Sequence, residues 1–299
     1  MKIGLNLINF GPAATPANLR GWVDAAEGLG FDSLFTSDHI ATTPDVAGRY
    51  PAPFYEPFST LGWLAGVTKR VNIGTTVMIV PYRSPLETAR AMADIDQLSG
   101  GRLIFGVGSG WASQEFDALG VPFHQRGAIT DEYLEAIVAL WTQDTASFDG
   151  QFVSFDSVST APRPVQIPHP PIWVGGSSPA AFRRVARFGH AWHPIRLRSS
   201  WLTTKGIPRL REAAEQARRA MPAICPRIGF RLTEAPMAED SRLMGEGTLE
   251  QVLGDLAELE ALECEHVILD TSYETTDHTL DPQGAWRDLE LVALALSRH

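Results

Sequence analysis

The chain has 299 residues, 44% of them hydrophobic and 20% charged, a composition typical of globular proteins that excludes disorder along its whole length. Lys and Arg number 25 against 35 Asp and Glu, and the resulting net charge of −10 argues against nucleic-acid binding, which needs a basic surface. The sequence contains no apolar run as long as a membrane span and no signal-peptide pattern at its N-terminus, so we expect a cytoplasmic protein with no membrane contact.

Eight short apolar runs alternate with longer amphipathic stretches, and each run is predicted to be a strand. A capping box is predicted at Ser84–Glu87 and another at Thr248–Gln251, and a small hairpin near Gln151–Phe155. Eight β–α units with no linker or repeat predict a single (β/α)8 TIM barrel domain over residues 1–299, with a doubly wound open sheet as the alternative. The eight strands are expected at residues 3–8, 33–36, 71–80, 103–107, 172–174, 190–193, 227–232 and 266–269.

Asp38 and His39 follow the second predicted strand, where the active site of a barrel lies. A histidine can exchange a proton near neutral pH, and an adjacent aspartate can bind a polar edge of a cofactor. The alternative is that Ser37 and Asp38 only terminate the strand. The following segment, Ile40–Tyr55, is a long loop rich in Pro and Gly, of the kind that often carries function.

Two glycine-containing segments are candidates for holding an anion. Gly106–Gly110 follows the fourth strand, but it lacks the third glycine of the dinucleotide fingerprint because Trp111 stands there. In Gly175–Pro179, Ser178 is a predicted N-cap, and the helix that follows offers free N–H groups and a dipole that favour a phosphate. The alternative there is an ordinary connection between a strand and a helix.

A metal site is not predicted. His190 and His193 are three residues apart, but no third ligand lies near them, and Trp192 between them indicates packing. The two cysteines, Cys225 and Cys264, do not form a C-x-x-C pair, so we expect two reduced thiols.

Taken in order, these short motifs resemble the luciferase-like monooxygenase superfamily, and most closely its coenzyme F420-dependent oxidoreductase branch. The resemblance implies a (β/α)8 barrel that is usually a homodimer, with coenzyme F420 as cofactor and a small-molecule substrate. A flavin or F420 reductase is a further partner that it implies. The motifs that carry it include Ser37-Asp38-His39, residues 72–77, 99–103, 106–111, 115–121 and 168–176.

The resemblance also implies roles for individual residues. His39 would donate or accept a proton beside the deazaflavin ring, Asp38 would contact that ring, and a non-prolyl cis peptide bond would fall at Thr76–Val77 behind it. The cofactor's phosphate end would lie at Ser109, Gly110, Gly176, Ser177 and Ser178. Independently of the resemblance, the candidates for aromatic walls of the substrate pocket are Phe10, Trp63, Tyr82, Trp111 and Trp192, with a place in the core as the alternative for each.

Two departures from the branch bear on function. Trp111 stands where sugar-phosphate dehydrogenases of the branch carry a catalytic glutamate, and Ile79 replaces a polar residue that contacts the cofactor in those relatives. The prediction is therefore hydride transfer between coenzyme F420 and a small apolar or aromatic organic substrate, with His39 handling the proton. The alternatives are an FMN-dependent monooxygenase served by a partner reductase, and a non-catalytic flavin or deazaflavin binder.

Overall fold

A computed structural model of the chain describes residues 1–240, 242–272 and 281–297. Its strands are β1 (Lys2–Leu7), β2 (Ser33–Thr36), β3 (Asn72–Thr75), β4 (Met78–Ile79), β5 (Leu103–Gly108), β6 (Ala146–Asp149), β7 (Ser154–Val158), β8 (Ile172–Gly175), β9 (Ala191–His193), β10 (Ala223–Ile224), β11 (Arg227–Gly229), β12 (Arg231–Leu232), β13 (Glu246–Gly247) and β14 (His266–Asp270).

The central sheet is parallel and closes on itself. Its strands run in the order β10, β9, β8, β5, β3, β2, β1, β14, β11, and β4 continues beyond β3 to pair with β5. The end strands β10 and β11 are separated only by Cys225 and Pro226, and Ile195 forms a parallel bridge to Arg227. With β3–β4 and β10–β11 each counted as one strand, eight strands form the ring. The predicted barrel is confirmed, and the open sheet is excluded.

Helices connect the strands and cover the outside of the barrel. They are α1 (Pro16–Gly28), α2 (Pro44–Ala47), α3 (Pro57–Val67), α4 (Pro85–Ser99), α5 (Ser113–Ala118), α6 (Arg126–Thr142), α7 (Pro179–Phe188), α8 (Ser199–Trp201), α9 (Ile207–Gln216), α10 (Leu249–Ala261) and α11 (Pro282–Leu296). No helix in the described ranges is long and apolar enough to cross a membrane.

Local sequence accounts for how several helices begin. The predicted capping box is present at the start of α10, where the Thr248 and Gln251 side chains each bond the other's backbone N–H. The box predicted at Ser84 does not form, because the Ser84 hydroxyl accepts from the N–H of Leu86 instead and Glu87 takes no part. Side-chain capping still satisfies one of the free N–H groups that every helix start presents.

Some predicted elements are interrupted in the structure. The strand predicted at 71–80 divides into β3 and β4 at a cis peptide bond between Thr76 and Val77. The strand predicted at 227–232 ends as β11, and its remainder forms a small separate sheet, β12 with β13. The helical stretch over residues 199–216 is also interrupted, because a π-helical segment at Leu202–Gly206 separates α8 from α9. The hairpin is longer than predicted and pairs β6 with β7.

The barrel interior is filled by a layer of apolar side chains below the candidate site. Phe35 on β2 stacks on Trp173 of β8 at 5.1 Å between ring centroids, although these strands are not neighbours in the sheet. Both side chains therefore point into the barrel. This buried layer comprises Phe35, Ile104, Trp173, Ala191, Cys225 and Ile268. Such a layer closes the floor of the barrel, so a ligand can enter only from its rim.

Glycines bring β5 close to its neighbour. A Cβ atom at Gly106 would lie 1.8 Å from the backbone oxygen of Thr75, a separation that no side chain tolerates. Gly110, just beyond β5, has φ of +79°, a conformation that favours glycine. The glycines of the 106–110 segment thus serve close strand packing and a turn at the rim.

Candidate active site

A cavity of about 330 Å³ opens where the C-terminal ends of the barrel strands meet. Its wall is made by residues that immediately follow β2, β3, β5, β8 and β9, together with β11 and the start of two helices. The lining residues are Ser37, Asp38, His39, Tyr50, Thr76, Val77, Ile79, Gly108, Ser109, Gly110, Trp111, Arg126, Gly175, Gly176, Ser178, Ala181, Arg184, His193, Ile195 and Arg227.

Most residues predicted for the site lie in this wall, and five do not. Ser177 is exposed beside the cavity without lining it. Trp192 is fully buried and donates its indole N–H to the Gly176 carbonyl at 2.8 Å, so it supports the wall from the core. Phe10 is buried against Tyr50 and Phe54, and Trp63 packs on the core along α3. Tyr82 is buried and donates its hydroxyl to Glu115. The structure therefore does not place Phe10, Trp63, Tyr82 or Trp192 in the cavity wall.

His39 is held by a buried carboxylate. Its Nδ1 lies 2.6 Å from Oε2 of Glu115, a residue of α5 that is 0% exposed. The same oxygen accepts from the Tyr82 hydroxyl at 2.8 Å, and Oε1 accepts from the N–H groups of Ile40 and Ala41 at 2.6 and 2.9 Å. Glu115 thus ties α5 to both His39 and the loop that follows it.

The charge state of Glu115 is fixed by these bonds. Burial raises its pKa, but the bond from His39 and the backbone N–H donors outweigh burial and hold the pKa below its usual range. The buried Tyr82 hydroxyl has a pKa raised well above its usual range by desolvation and by Glu115, so it remains a proton donor. Glu115 is therefore an ionised acceptor at neutral pH.

Asp38 is already engaged within the protein. Its Oδ2 accepts from the Ile79 N–H and from one Arg83 nitrogen, both at 2.8 Å, and its Oδ1 accepts from the other Arg83 nitrogen at 2.8 Å. Arg83 also reaches Glu56 at 2.9 Å. The paired charges join the ends of β2 and β4, which gives Asp38 a structural role. Its contact with a cofactor ring stays a prediction.

Thr76 follows β3, the neighbour of β2 in the sheet, and belongs to a polar network at the rim. Burial, assisted by the nearby charge of Arg227, lowers the pKa of His193 to about 4, so its imidazole is neutral at pH 7. His193 bonds the Cys225 carbonyl through Nδ1 and Thr76 Oγ1 through Nε2. Arg227 donates to the Thr76 carbonyl at 2.6 Å and pairs with buried Asp270 at 2.6 Å. This network holds the cis Thr76–Val77 bond at the cavity wall, where the resemblance implies it.

Positive charge and helix donors meet on the β5–β8 side of the cavity. Ser178 caps α7 by accepting from the Ala181 N–H, and Gly176 precedes it with φ of +98°. Arg184 lines the cavity and pairs with Asp131 at 2.6 Å. Arg126 donates to the Gly110 carbonyl at 3.2 Å and lies 3.9 Å from the centroid of the Phe123 ring. In the part of the chain that the structure describes, no acidic side chain pairs with Arg126, so its charge is available to an anion.

Aromatic rings cover His39 at the mouth of the cavity. Its ring centroid lies 5.0 Å from that of Tyr50 and 5.8 Å from that of Trp111. The guanidinium carbon of Arg49 lies 4.8 Å from the centroid of the Trp111 ring, and Arg49 is adjacent to Tyr50 in the loop that follows β2. Trp111 is 39% exposed, so this apolar wall is accessible from solvent. The surroundings of His39 favour an apolar, planar ligand over a charged one.

Residues of the site that were not found from the sequence include Glu115, Arg83, Arg126, Arg227 and Tyr50. Glu115 left a usable signal, because it is an acidic residue on the short helix directly after the glycine-rich rim segment. Its partner is 76 positions away, and only the closed barrel brings the two together. Within the described ranges, no group of three or more potential metal ligands occurs. The His190 Nδ1 accepts from the N–H of Ile172, away from His193.

Comparison with known proteins gives the family setting. Residues 1–244 match the family model described as luciferase-like monooxygenase. An uncharacterized protein of Mycobacterium tuberculosis is 35% identical over 206 residues, covering 64% of this chain and 71% of that protein. An F420-dependent glucose-6-phosphate dehydrogenase of Amycolatopsis mediterranei is 30% identical over 226 residues, covering 73% of this chain and 65% of that protein. An FMNH(2)-dependent dimethylsulfone monooxygenase of Pseudomonas putida is 36% identical over 146 residues, covering 48% of this chain and 37% of that protein.

Solved structures support the same fold. The monooxygenase RslO1 from Streptomyces bottropensis superposes with a TM-score of 0.77 at 23% identity, covering 100% of this chain and 99% of that one. An F420-dependent secondary alcohol dehydrogenase in complex with an F420-acetone adduct superposes with a TM-score of 0.77 at 19% identity, covering 94% of this chain and 96% of that one. At these identities the likeness bears on the fold alone.

Proposed function

The chain belongs to the luciferase-like monooxygenase family, and from this premise we propose that it is a coenzyme F420-dependent oxidoreductase acting on a small apolar organic substrate. The observation that carries the proposal is one cavity with two chemically different sides. A buried, carboxylate-held His39 lies on the β2 side, and an anion cradle that includes Arg126 lies on the β5–β8 side. Similarity to an F420-dependent dehydrogenase at 30% identity supports the choice of cofactor.

The residues fit the phosphate-bearing end of such a cofactor. Arg126, the N-terminus of α7 at Ser178, and the turn at Gly110 supply the positive charge and N–H donors that a phosphate needs. Thr76 and Val77 both line the cavity and lie between this cradle and His39 along the ring of strands. When bound, the deazaflavin would supply hydride exchange with the substrate.

The side chains around His39 assign the remaining tasks. Tyr50 and Trp111 would hold an apolar substrate against the imidazole and exclude water. His39 would exchange at its Nε2 the proton that accompanies hydride transfer, because its Nδ1 is bonded to Glu115. Trp111 supplies no acid, so the sugar-phosphate chemistry of some relatives is not proposed.

The proposal is tested by binding and turnover. The purified protein is titrated with F420 and, separately, with FMN, and the F420 complex is then offered panels of alcohols and carbonyl compounds while F420 absorbance is followed. We expect F420 to bind more tightly and its absorbance to change with an apolar substrate. Absence of F420 binding at tens of micromolar contradicts the proposal.

The role of His39 is tested by substitution. His39→Ala should slow turnover by about 10²–10⁴-fold, because general acid–base catalysis contributes that much, while cofactor affinity stays the same. His124→Ala, an exposed histidine outside the cavity, is the matched control and should keep full activity. Normal turnover by His39→Ala removes His39 from the mechanism.

A second candidate is an FMN-dependent monooxygenase served by a partner reductase. It is favoured by the 36% identity to the dimethylsulfone monooxygenase, which spans 48% of this chain. FMN also carries a phosphate that the same cradle would accept. Tighter binding of FMN than of F420, together with oxygen consumption during turnover, would support this candidate instead.

A further inference from the structure

Glu115 is bonded in a way that specifies which His39 nitrogen carries a proton. Its Oε2 lies 2.6 Å from His39 Nδ1, and an ionised carboxylate can only accept. The proton of a neutral His39 must therefore reside on Nδ1. Among the described residues none bonds His39 Nε2, which leaves that nitrogen as a hydrogen-bond acceptor beside the cavity.

We propose that Glu115 is a positioning residue that fixes His39 in the Nδ1–H tautomer and stabilises its protonated form during proton exchange at Nε2. In the neutral state, Nε2 accepts a proton from the substrate; in the protonated state, the same atom returns it. Whether that proton accompanies hydride transfer rests on the proposed function. The tautomer itself rests only on the contacts of Glu115.

The bonds around Glu115 make the arrangement rigid. Its two oxygens together accept four hydrogen bonds, from His39, Tyr82, Ile40 and Ala41. The two backbone donors flank His39 on its C-terminal side, so the carboxylate holds both the side chain and the chain segment that bears it. A carboxylate satisfied in this way has no freedom to turn away from the imidazole.

Other charges near His39 are accounted for within the protein. Asp38, its neighbour in sequence, is paired with Arg83. Asp45, on the same loop, bonds Thr43 and the Gln114 N–H. Arg49 stacks on the Trp111 ring, and the Tyr82 hydroxyl donates to Glu115. The remaining titratable ring facing His39 is that of Tyr50. Glu115 is thus the carboxylate in direct contact with His39.

Glu115→Gln reverses the donor pattern while preserving shape. The amide oxygen can still accept from the N–H groups of Ile40 and Ala41, which directs the NH₂ group toward His39. Nδ1 must then accept, and the imidazole proton moves to Nε2. The substitution therefore changes the tautomer of His39 without emptying the space that Glu115 fills.

The tautomer is read directly by ¹⁵N NMR of the cofactor-free protein labelled at histidine. The chain has eight histidines, and the His39 resonances are assigned by their loss in His39→Gln. Above neutral pH we expect a protonated Nδ1 and an unprotonated Nε2 in the wild type, and the reverse in Glu115→Gln. A proton on Nε2 in the wild type, or the same tautomer in both proteins, overturns the proposal.

Kinetics supply the second measurement. Glu115→Gln should lower kcat by about 10²–10⁴-fold with little change in KM. An unchanged kcat in Glu115→Gln, with F420 turnover present in the wild type, contradicts the positioning role.

Glu132→Gln is the matched control. Glu132 accepts from the N–H groups of Gln151, Phe152 and Val153, much as Glu115 holds its own loop, but it lies outside the cavity. It should leave the His39 tautomer and kcat unchanged. If the wild type does not turn over F420 at all, the proposed function fails while the NMR result still decides the role of Glu115.

Discussion

Arg126→Gln removes a charge from the cavity wall, and within the described ranges no carboxylate loses a partner by this substitution. Its guanidinium is held in place by the Gly110 and Phe123 carbonyls, at 3.2 and 2.9 Å, and by the Phe123 ring. Because it is positioned before any ligand binds, little ordering cost offsets its bond to a phosphate. A charge-assisted hydrogen bond contributes about 1.5–3 kcal/mol, so the cofactor Kd should rise by about 10–150-fold.

Fluorescence titration measures this effect with both F420 and FMN, since each carries a phosphate. Arg187→Gln is the control, because Arg187 lies on α7 close to the cradle but pairs with Glu135 at 2.8 Å outside the cavity. The cofactor Kd of Arg187→Gln should equal that of the wild type. The difference in cofactor Kd between Arg126→Gln and Arg187→Gln should become smaller in high salt. A Kd for Arg126→Gln within threefold of wild type for both cofactors refutes the anion cradle.

Two further predictions concern the barrel itself. Gly106→Ala should lower the free energy of unfolding by about 3 kcal/mol or more, since its Cβ would meet the Thr75 backbone oxygen at 1.8 Å. Gly62→Ala, in open space within α3, should raise the free energy of unfolding by about 0.5–1 kcal/mol. Urea denaturation measures both variants, and equal effects would contradict this packing. Burial lowers the pKa of His266 to about 3 from 6.5, so the unfolded chain binds more protons on acidification. The contribution of neutral His266 to the free energy of unfolding should be complete above pH 6.5 and should fall toward pH 3 by about 1.4 kcal/mol per pH unit. His266→Gln should reduce this slope of stability against pH. An unchanged slope in His266→Gln would disprove the assignment.

The barrel was predictable because its evidence is local and repeated. Each strand is a short apolar run beside a helix with its own start signal, such as Thr248 with Gln251. The errors fall where a tertiary contact overrides the local pattern. The apolar run at 71–80 gives no indication of the break at Thr76, which His193 and Arg227 hold from distant strands.

The candidate site was predictable only in part, for the same reason. Strand ends locate Asp38, His39 and Ser178 at the rim, because barrel geometry alone puts them there. Which side chains touch them depends on how the connecting segments fold back. The contact between His39 and Glu115 spans 76 positions and that between Asp38 and Arg83 spans 45.

The aromatic residues illustrate the remaining difficulty. The residue type alone does not tell whether a tryptophan near the end of a strand lines a pocket or packs in the core. Trp111 is partly exposed in the wall, whereas Trp192 is fully buried and bonded to the Gly176 carbonyl. Only the direction of each side chain separates the two cases, and strand periodicity does not fix that direction at a rim where the strands end.

We propose that this cavity exchanges hydride between a deazaflavin and an organic substrate without oxygen. Anaerobic stopped-flow absorbance of the F420-loaded protein mixed with an active substrate tests this most directly. We predict that F420 is reduced or reoxidised in stoichiometric amounts at the same rate with and without oxygen. Turnover that occurs only with reduced FMN and consumes oxygen would contradict the account.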